Sequence, residues 1–353
     1  MYNIISPINS LGYGIAGLNI CKSLNQIDPV ALFTLGQPSV TNPSDHQQIS
    51  DMISNAKMPN FSAPCIRIWH QHDMSQFVGN GIKVGFPIFE LDDFTENEKH
   101  HLNFPDKIFV CSEWAKDVIT QSTGRDDVEI HVVPLGVDRS IFRPVEPNTG
   151  ETYTFFNCGK WEVRKGHDII VEAFNKAFNS SDKVELKMMC ENPFNSEEEE
   201  KNWIDLYKNS KLGSKISIIP RVATHEEVYN IMATVDCGVF PARAEGWNLE
   251  LLEMMSCNKP VIATDYSAHT EFCTDDNSFL IDPSEVEPAF DGKWFDGNTG
   301  RWAKIEDKDV DQLSEYMRHV YKKDLRENSN GVNTAKEYSW QKSASIVQEV
   351  LGA

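Results

Sequence analysis

Residues 237–273, CGVFPARAEGWNLELLEMMSCNKPVIATDYSAHTEFC, restrict the fold of this chain more than any other stretch. CGVFP is a short apolar run of strand character, ARAEGWN is loop-like, and LELLEMMSC has helical spacing. KPVIATD is a second strand, and SAHTEF opens another helical piece. Strand, helix and strand make a βαβ unit. Its loops lie at the carboxyl ends of the strands, where open parallel sheets bind ligands.

The loop carries Glu245, Gly246, Trp247 and Asn248. Asn248 suits the N-cap of the helix that follows. The amides of Leu249, Glu250 and Leu251 then point out of the helix start. With the positive end of the helix dipole, they attract a phosphate. Gly246 lets backbone come close to a ligand. Glu253 lies one turn further on, between Leu252 and Met254 in a largely apolar helix. A carboxylate there is costly unless it has a partner or meets a ligand. Either glutamate alone fits an ordinary exposed residue; the two together in one βαβ unit point to a site.

Short apolar runs alternate with helix-period segments along the whole chain, as in α/β proteins with parallel sheets. The first half predicts strands near 2–7, 30–35, 65–69, 82–89, 107–112 and 128–134, with helices near 15–25, 46–55, 94–102 and 113–122. Ser112 is a suitable cap for the last of these. The segment 141–152 has Pro and Gly but no helical period, which suits a linker. A second series follows: strands near 153–158, 184–190 and 215–219, helices near 167–178, 196–209 and 225–235, then the βαβ unit. Helices near 309–323 and 340–351 close the chain. SEEEEK at 196–201 reads as a solvated helix start, with Glu favoured at the amino end. Residues 283–308 hold two tryptophans without a clear period and read as a long loop.

A chain of 353 residues exceeds one comfortable core and fits two domains. The net charge of −20 argues against nucleic acid or an anionic bilayer as the main partner. No apolar run reaches the length of a membrane span, and no basic amphipathic helix is visible. The start, MYNIISPINS, has no signal-peptide pattern, and the eight scattered cysteines form no CxxC. A cytoplasmic protein with reduced thiols is the simplest expectation.

Three further stretches carry candidate chemistry. Gly12-Tyr13-Gly14-Ile15-Ala16-Gly17 matches G-x-G-x-x-G between a strand and a helix. A nicotinamide site also needs an acidic residue at the end of the second strand, and VALFTLGQPS offers none. Gly12 and Gly14 therefore suit a milder role, backbone approach to a phosphate or a sugar. Residues 157–166, NCGKWEVRKG, put Lys160, Arg164 and Lys165 beside glycines at a strand end, which suits a diphosphate or, more plainly, a basic turn. His70-Gln71-His72-Asp73 contains H-x-H with an acid but no third or fourth metal ligand, so a polar strand end is expected there and no metal site.

The spacing of Glu245 and Glu253, E-x7-E in EGWNLELLE, with KPVIATD and SAHTE after it, resembles the donor site of retaining GT-B glycosyltransferases of the family-4 type, the group 1 glycosyltransferases. CSEW, VVPLGVD, FRP and the closing S-W extend the similarity over nearly the whole chain. The resemblance implies two Rossmann-like domains facing across a cleft: an acceptor domain at 1–140 joined by the C-terminal helix 340–353, a linker at 141–152, and a donor domain at 153–339. It implies metal-independent transfer of a sugar from a UDP-, GDP- or similar nucleotide sugar to a hydroxyl of a carbohydrate or other acceptor, with retained configuration and no cofactor.

In that reading Glu253 accepts from the ribose hydroxyls, and Glu245 holds hydroxyls of the transferred sugar. Lys160, Arg164 and Lys165, with the amides of Gly246, Trp247, Asn248 and Leu249, stabilise the departing diphosphate. Lys160 stands where many members have Arg, and Arg164 could supply the guanidinium instead. Phe89-Glu90 stands where many members have a His, so Glu90 becomes the candidate cleft carboxylate, with His72, Gly12 and Glu271 as weaker contacts. Asp92-Asp93 is read as a turn. Another GT-B enzyme, such as an epimerase or a phosphorylase, and a non-catalytic sugar-nucleotide binder remain the alternatives.

Overall fold

In the computed structural model, which describes residues 1–124 and 128–352, the apolar runs become two parallel six-stranded sheets and one hairpin. The chain divides into two compact units, Met1–Asp138 with Glu337–Ala353, and Arg139–Lys336. The segment 141–152 belongs to the second: Val145 N–H donates to Cys257 O, and Ser256 Oγ donates to Phe142 O.

The first unit contains β1 (Tyr2–Ser6), α1 (Gly12–Asn25), β2 (Val30–Thr34), α2 (Pro43–Asn55), β3 (Cys65–Trp69), β4 (Lys83–Pro87), α3 (Glu96–His101), β5 (Lys107–Val110), α4 (Glu113–Thr123) and β6 (Glu129–Val132). The sheet order is β2-β1-β3-β4-β5-β6, all parallel. Parallel strands are covered on both faces, and β1 and β3 are buried at almost every residue, the polar Asn3, Ser6 and Arg67 included. Ser112 Oγ accepts from Ala115 N–H and starts α4 where the cap is expected. Thr95 and Glu98 make a reciprocal capping box on α3.

The second unit contains β7 (Tyr153–Cys158), α5 (His167–Ala177), β8 (Val184–Met189), α6 (Glu197–Lys208), β9 (Ile216–Ile218), α7 (His225–Ala233), β10 (Cys237–Phe240), α8 (Leu249–Ser256), β11 (Val261–Thr264), β12 (Phe279–Ile281), β13 (Val286–Phe290), β14 (Asp296–Ala303), α9 (Asp307–Lys322) and the start of α10 (Ser329–Glu337). Its main sheet has the order β12-β11-β10-β7-β8-β9. Phe155, Phe174, Leu186, Val239, Ile262 and Leu313 are fully buried and join strands to helices in one core. SEEEEK starts α6, where Ser196 and Glu199 form a capping box.

Residues 283–308, read from sequence as a loop, contain the antiparallel pair β13–β14. Its turn is built on Asp291, whose Oδ1 accepts from the amides of Lys293, Trp294 and Phe295. Lys293 Nζ donates to Phe194 O, Asn195 Oδ1 and Glu199 Oε1, each at 2.9 Å, so the turn is tied to the start of α6. The Lys293 contact holds the Glu199 carboxyl at about 2.

The chain ends in α11 (Trp340–Leu351), which packs against α1 in the first unit. Ser339 Oγ caps it, and Ser343 Oγ donates to Pro134 O at 2.5 Å. The helix can start here only because Gly136 has no side chain: a Cβ on Gly136 would lie 2.2 Å from Trp340 N. Gly136→Ala is therefore expected to cost about 1–3 kcal/mol through forced backbone displacement. Urea unfolding reads this as a lower midpoint at unchanged slope; an unchanged midpoint would show that α11 docks without that close approach.

Candidate functional site

In the second sheet, β7 lies between β8, which follows it, and β10, which returns to its other side. The chain reverses its direction of progress across the sheet at β7 and β10, which creates a crevice at their carboxyl ends. Two loops meet there: 159–166, between β7 and α5, and 241–248, between β10 and α8. Both stretches singled out for phosphate chemistry, KWEVRKG and EGWN, are thus brought together.

Charge pairing welds the loops. Glu245 Oε1 accepts from Lys165 Nζ at 2.6 Å, and Glu245 Oε2 accepts from Arg164 Nη1 at 2.8 Å. Arg164 also donates from Nη1 to Ala244 O at 2.8 Å and from Nη2 to Glu162 Oε2 at 2.6 Å. Lys160 Nζ reaches Glu162 Oε1 at 2.9 Å. The three cations and two carboxylates of this cluster leave one net positive charge. Arg243 adds a second weld, donating to both oxygens of Asp168 and to Val163 O.

Exposure separates the cations. The Arg164 side chain is 6 % exposed, Lys165 12 % and Lys160 33 %. Arg164 is closed off from solvent, Lys165 is largely buried against Glu245, and Lys160 is the most accessible of the three. Burial alone would raise the Glu245 carboxyl, but Lys165 and Arg164 outweigh it and hold the group below the usual carboxylate range. Glu162 is likewise burdened by burial, yet Arg164 and Lys160 hold it at about 2. Burial works against the Lys165 ammonium, and Glu245 and Glu250 more than compensate. Glu253 differs. It is buried in α8, and burial together with Glu250 pushes its carboxyl well up.

Asn248 caps α8 as expected, with Oδ1 accepting from Leu251 N–H at 3.2 Å. It does so at φ 79, a left-handed conformation that Asn tolerates better than most residues. His269 steadies it. The ring Nδ1–H donates to Thr264 O at 3.0 Å, which leaves Nε2 to accept from Asn248 Nδ2 at 2.9 Å. Burial lowers the His269 pKa and favours this neutral form. Ser267 Oγ accepts from Glu245 N–H at 2.8 Å, so the turn Ser267–Glu271 holds both ends of the loop. Trp247 packs on Phe272, with ring centroids 5.0 Å apart, and Leu249 is buried in the first turn of α8. Glu271, at the end of the turn, is half-buried.

The other loop has its own imidazole. His167 Nδ1 accepts from Glu162 N–H at 3.0 Å and its Nε2–H donates to Asn157 Oδ1 at 2.9 Å. Asn157 in turn donates to Val239 O at 2.6 Å, joining β7 to β10. Burial and then Lys165 push His167 down to about 3. Glu162, His167, Arg243, Ser267 and His269 were not singled out as site residues from sequence. The partners of Arg243, Ser267 and His269 lie on the other loop or on a neighbouring turn, His167 reaches back to Asn157 on β7, and only Glu162, two residues before its partner Arg164, carried a local signal.

Gly12, Gly14, His72 and Glu90 belong to the first unit. Gly14 does not line an open loop. It lies in the first turn of α1, where a Cβ would come within 2.5 Å of Asn9 backbone atoms, so α1's own packing explains the residue. Gly12 is exposed with nothing within 4 Å of a Cβ. Asp73 pairs with Arg67 at 2.6 Å, and Asp93 caps Phe94 N–H and pairs with Lys99. Among the described residues no group of three or more His, Cys, Asp or Glu is arranged to hold a metal ion.

A model of the family described as Glycosyl transferases group 1 matches residues 152–291, which contain both welded loops. The second unit is thus similar to group 1 glycosyltransferase domains. Among curated relatives, the MMP alpha-(1->4)-mannosyltransferase of Mycolicibacterium hassiacum is 25 % identical over 52 % of this chain and 43 % of its own length. Mannosylfructose-phosphate synthase of Agrobacterium fabrum is 22 % identical over 62 % of this chain and 50 % of its own length. This chain thus spans half or less of the length of these curated relatives. Sucrose-phosphate synthase from Thermosynechococcus elongatus superposes with TM-score 0.72 at 14 % identity, covering 99 % of this chain and 97 % of that one. HepE of Anabaena, solved with UDP and glucose, gives TM-score 0.70 at 14 % identity over 100 % and 99 % of the two chains. These likenesses establish the GT-B fold of two Rossmann-like units.

The neutral imidazoles of this unit make its stability depend on pH. The folded pKa of His167, about 3, lies below its ordinary 6.5, so the unfolded chain binds the proton first. The His167 contribution is full above pH 6.5 and is lost progressively as pH falls toward 3. His269, also lowered, acts in the same direction. Between pH 7 and 5 the unfolding free energy is expected to fall by up to about 1.4 kcal/mol per pH unit per histidine. Urea unfolding across this window should show a shallower decline in His167→Gln than in the parent. Parallel declines would show that His167 is not held neutral.

Proposed function

We propose that this chain transfers a sugar from a nucleotide diphosphate sugar to an acceptor hydroxyl, with retained configuration and without a metal ion. The observation that carries the reading is the fixed, largely buried cluster of Lys160, Glu162, Arg164, Lys165 and Glu245, with three cations on one loop, beside the amino end of α8. Negative charge grows on the diphosphate as the glycosidic bond breaks, and fixed donors aimed at that charge lower the barrier most. Lys160 and Lys165 meet the diphosphate from one side; the amides at the start of α8 meet it from the other. Arg164 acts through Glu162 and Glu245. Glu245, with both oxygens engaged by cations, orients those cations, and remaining lone pairs can accept from the transferred sugar. Glu253 receives the ribose hydroxyls, and the leaving phosphate takes the acceptor proton.

The second unit is the donor domain in this reading and the first brings the acceptor. Support for a nucleotide-sugar donor comes from the family match and from relatives whose names include GDP-mannose-dependent mannosyltransferases. No helix among the described residues is long and apolar enough to cross a membrane. We read the protein as acting in the cytoplasm on a carbohydrate or other hydroxyl acceptor.

The test is a donor screen with UDP-, GDP- and ADP-sugars, with and without EDTA, read by thermal shift and by release of nucleotide. One donor should stabilise the protein and be slowly hydrolysed despite EDTA. Lys165→Ala should lower that turnover by about 10²–10³-fold, the range for removing one fixed donor to a developing anion. Binding without turnover in every case would make the protein a sugar-nucleotide binder, and turnover abolished by EDTA would remove the metal-free mechanism. Proton NMR of the first transfer product reads the anomeric configuration directly.

A further inference from the structure

One hairpin touches the carboxyl-edge loops on both sides of the charged cluster. In the sheet order β10-β7-β8, the loop after β7 lies between the loops that follow β10 and β8. The base of β13–β14 bonds to the first of these flanking loops: Ala303 N–H donates to Arg243 O at 3.0 Å. The tip of the hairpin bonds to the second. Lys293 Nζ meets Phe194 O, Asn195 Oδ1 and Glu199 Oε1, so all three ammonium protons have an acceptor.

Apolar packing does not account for that tip. Phe290 is 62 % exposed and Trp294 56 %, so the tip adds little to the core. What ties it down is one ammonium, spent on a single loop.

That ammonium fixes a ring beside Lys160. The Phe194 ring lies 5.2 Å from Lys160 Nζ, within the range of a cation–π contact. The ring also meets Trp294 edge to face at 6.0 Å. Phe194 N–H donates to Asn192 Oδ1, and Asn192 Nδ2 donates to Trp161 O, on the residue after Lys160. Lys160 is thus held from two directions, by the Phe194 ring and by Glu162 Oε1 at 2.9 Å. A lysine stem is flexible, and one carboxylate leaves its ammonium free to swing about that contact. The ring removes much of this freedom. Being uncharged, it orients the ammonium without neutralising it, as a second carboxylate would.

We propose that Lys293 is a positioning residue for Lys160: through the Phe194 ring it sets the reach of the most accessible cation of the cluster. Lys293 itself touches no reacting atom. The inference rests on the proposed diphosphate site for what Lys160 reaches; the positioning stands on the contacts alone.

Two measurements on the full chain test it. In the first, lysines are methylated with carbon-13 formaldehyde, which keeps their charge, and the Lys160 NMR signal is assigned by its absence in Lys160→Arg. Ring current from Phe194 should shift that signal upfield in the parent. Lys293→Ala and Phe194→Leu should each return it to the position of a solvated lysine, and Phe194→Tyr should keep the shift. A parent signal already at the solvated position, or one that Lys293→Ala leaves in place, overturns the inference whatever the protein binds.

In the second, inorganic pyrophosphate is titrated by calorimetry without divalent metal. Lys160→Ala should weaken binding about tenfold or more, as for loss of a charged contact. Lys293→Ala should weaken it about two- to fivefold, the worth of one partly exposed cation–π contact. In the Lys160→Ala background, Lys293→Ala should have no further effect, because the two act as one unit. Lys183→Ala, which removes a positive charge just before β8, should leave binding unchanged. Equal losses from Lys293→Ala in both backgrounds would make Lys293 a general support, and an equal loss in Lys183→Ala would assign the effect to net charge; either overturns the inference. A Lys160 signal that moves as expected while pyrophosphate fails to bind would sustain the positioning and count against the diphosphate site.

Discussion

The double ion pair of Glu245 is the interaction on which the rest of the site depends. Its two carboxylate oxygens reach across some 80 residues of chain to Arg164 and Lys165, and so hold the loop after β7 against the loop after β10. Neither loop has regular structure of its own at this point. A buried carboxylate is costly without partners, and so are two buried cations. The geometry is stable only when all three are present. Glu162 completes the arrangement by taking the other face of Arg164 and one contact of Lys160. The cations are fixed in place by the fold before any ligand arrives, which is the condition for stabilising a departing diphosphate without reorganisation.

Each of the two sheets reverses its strand order once, and each reversal is furnished with a different chemistry. At β7 and β10 it is cations, carboxylates and a helix start; at β1 and β3 it is aromatic rings and imidazoles. Two buried neutral histidines support the two loops without charge of their own. His167 fixes the first loop through Glu162 N–H, and His269 fixes the second through Asn248.

Much of this was legible in the sequence. The strands are buried on both faces, so they show as continuous apolar runs, and the βαβ unit at 237–273 stands out by its alternation of periods. The caps Ser112 and Asn248 were visible because capping is a local matter of one side chain and an amide three residues on. Pairing across loops was not. Nothing in KWEVRKG states that Arg164 is spent on two glutamates and its neighbour Lys165 on one of them, because the shared glutamate lies about 80 residues away. The β13–β14 hairpin was hidden by mixed Gly, Pro and Asp content, and its order comes from Asp291 and from Lys293 reaching α6. Gly14 has a packing role that G-x-G-x-x-G does not state: a glycine is needed there by the helix's approach to Asn9.

The central claim is that the welded cluster is a preformed diphosphate site whose ligand contacts are lysines. Titration calorimetry of UDP, UMP, GDP and GMP against the parent and Lys165→Ala, without divalent metal, tests it most directly. The account predicts that one nucleoside diphosphate binds about tenfold or more tighter than its monophosphate, and that this ratio collapses toward unity in the variant. Equal binding of diphosphate and monophosphate by the parent, or a ratio that survives the loss of Lys165, would contradict it.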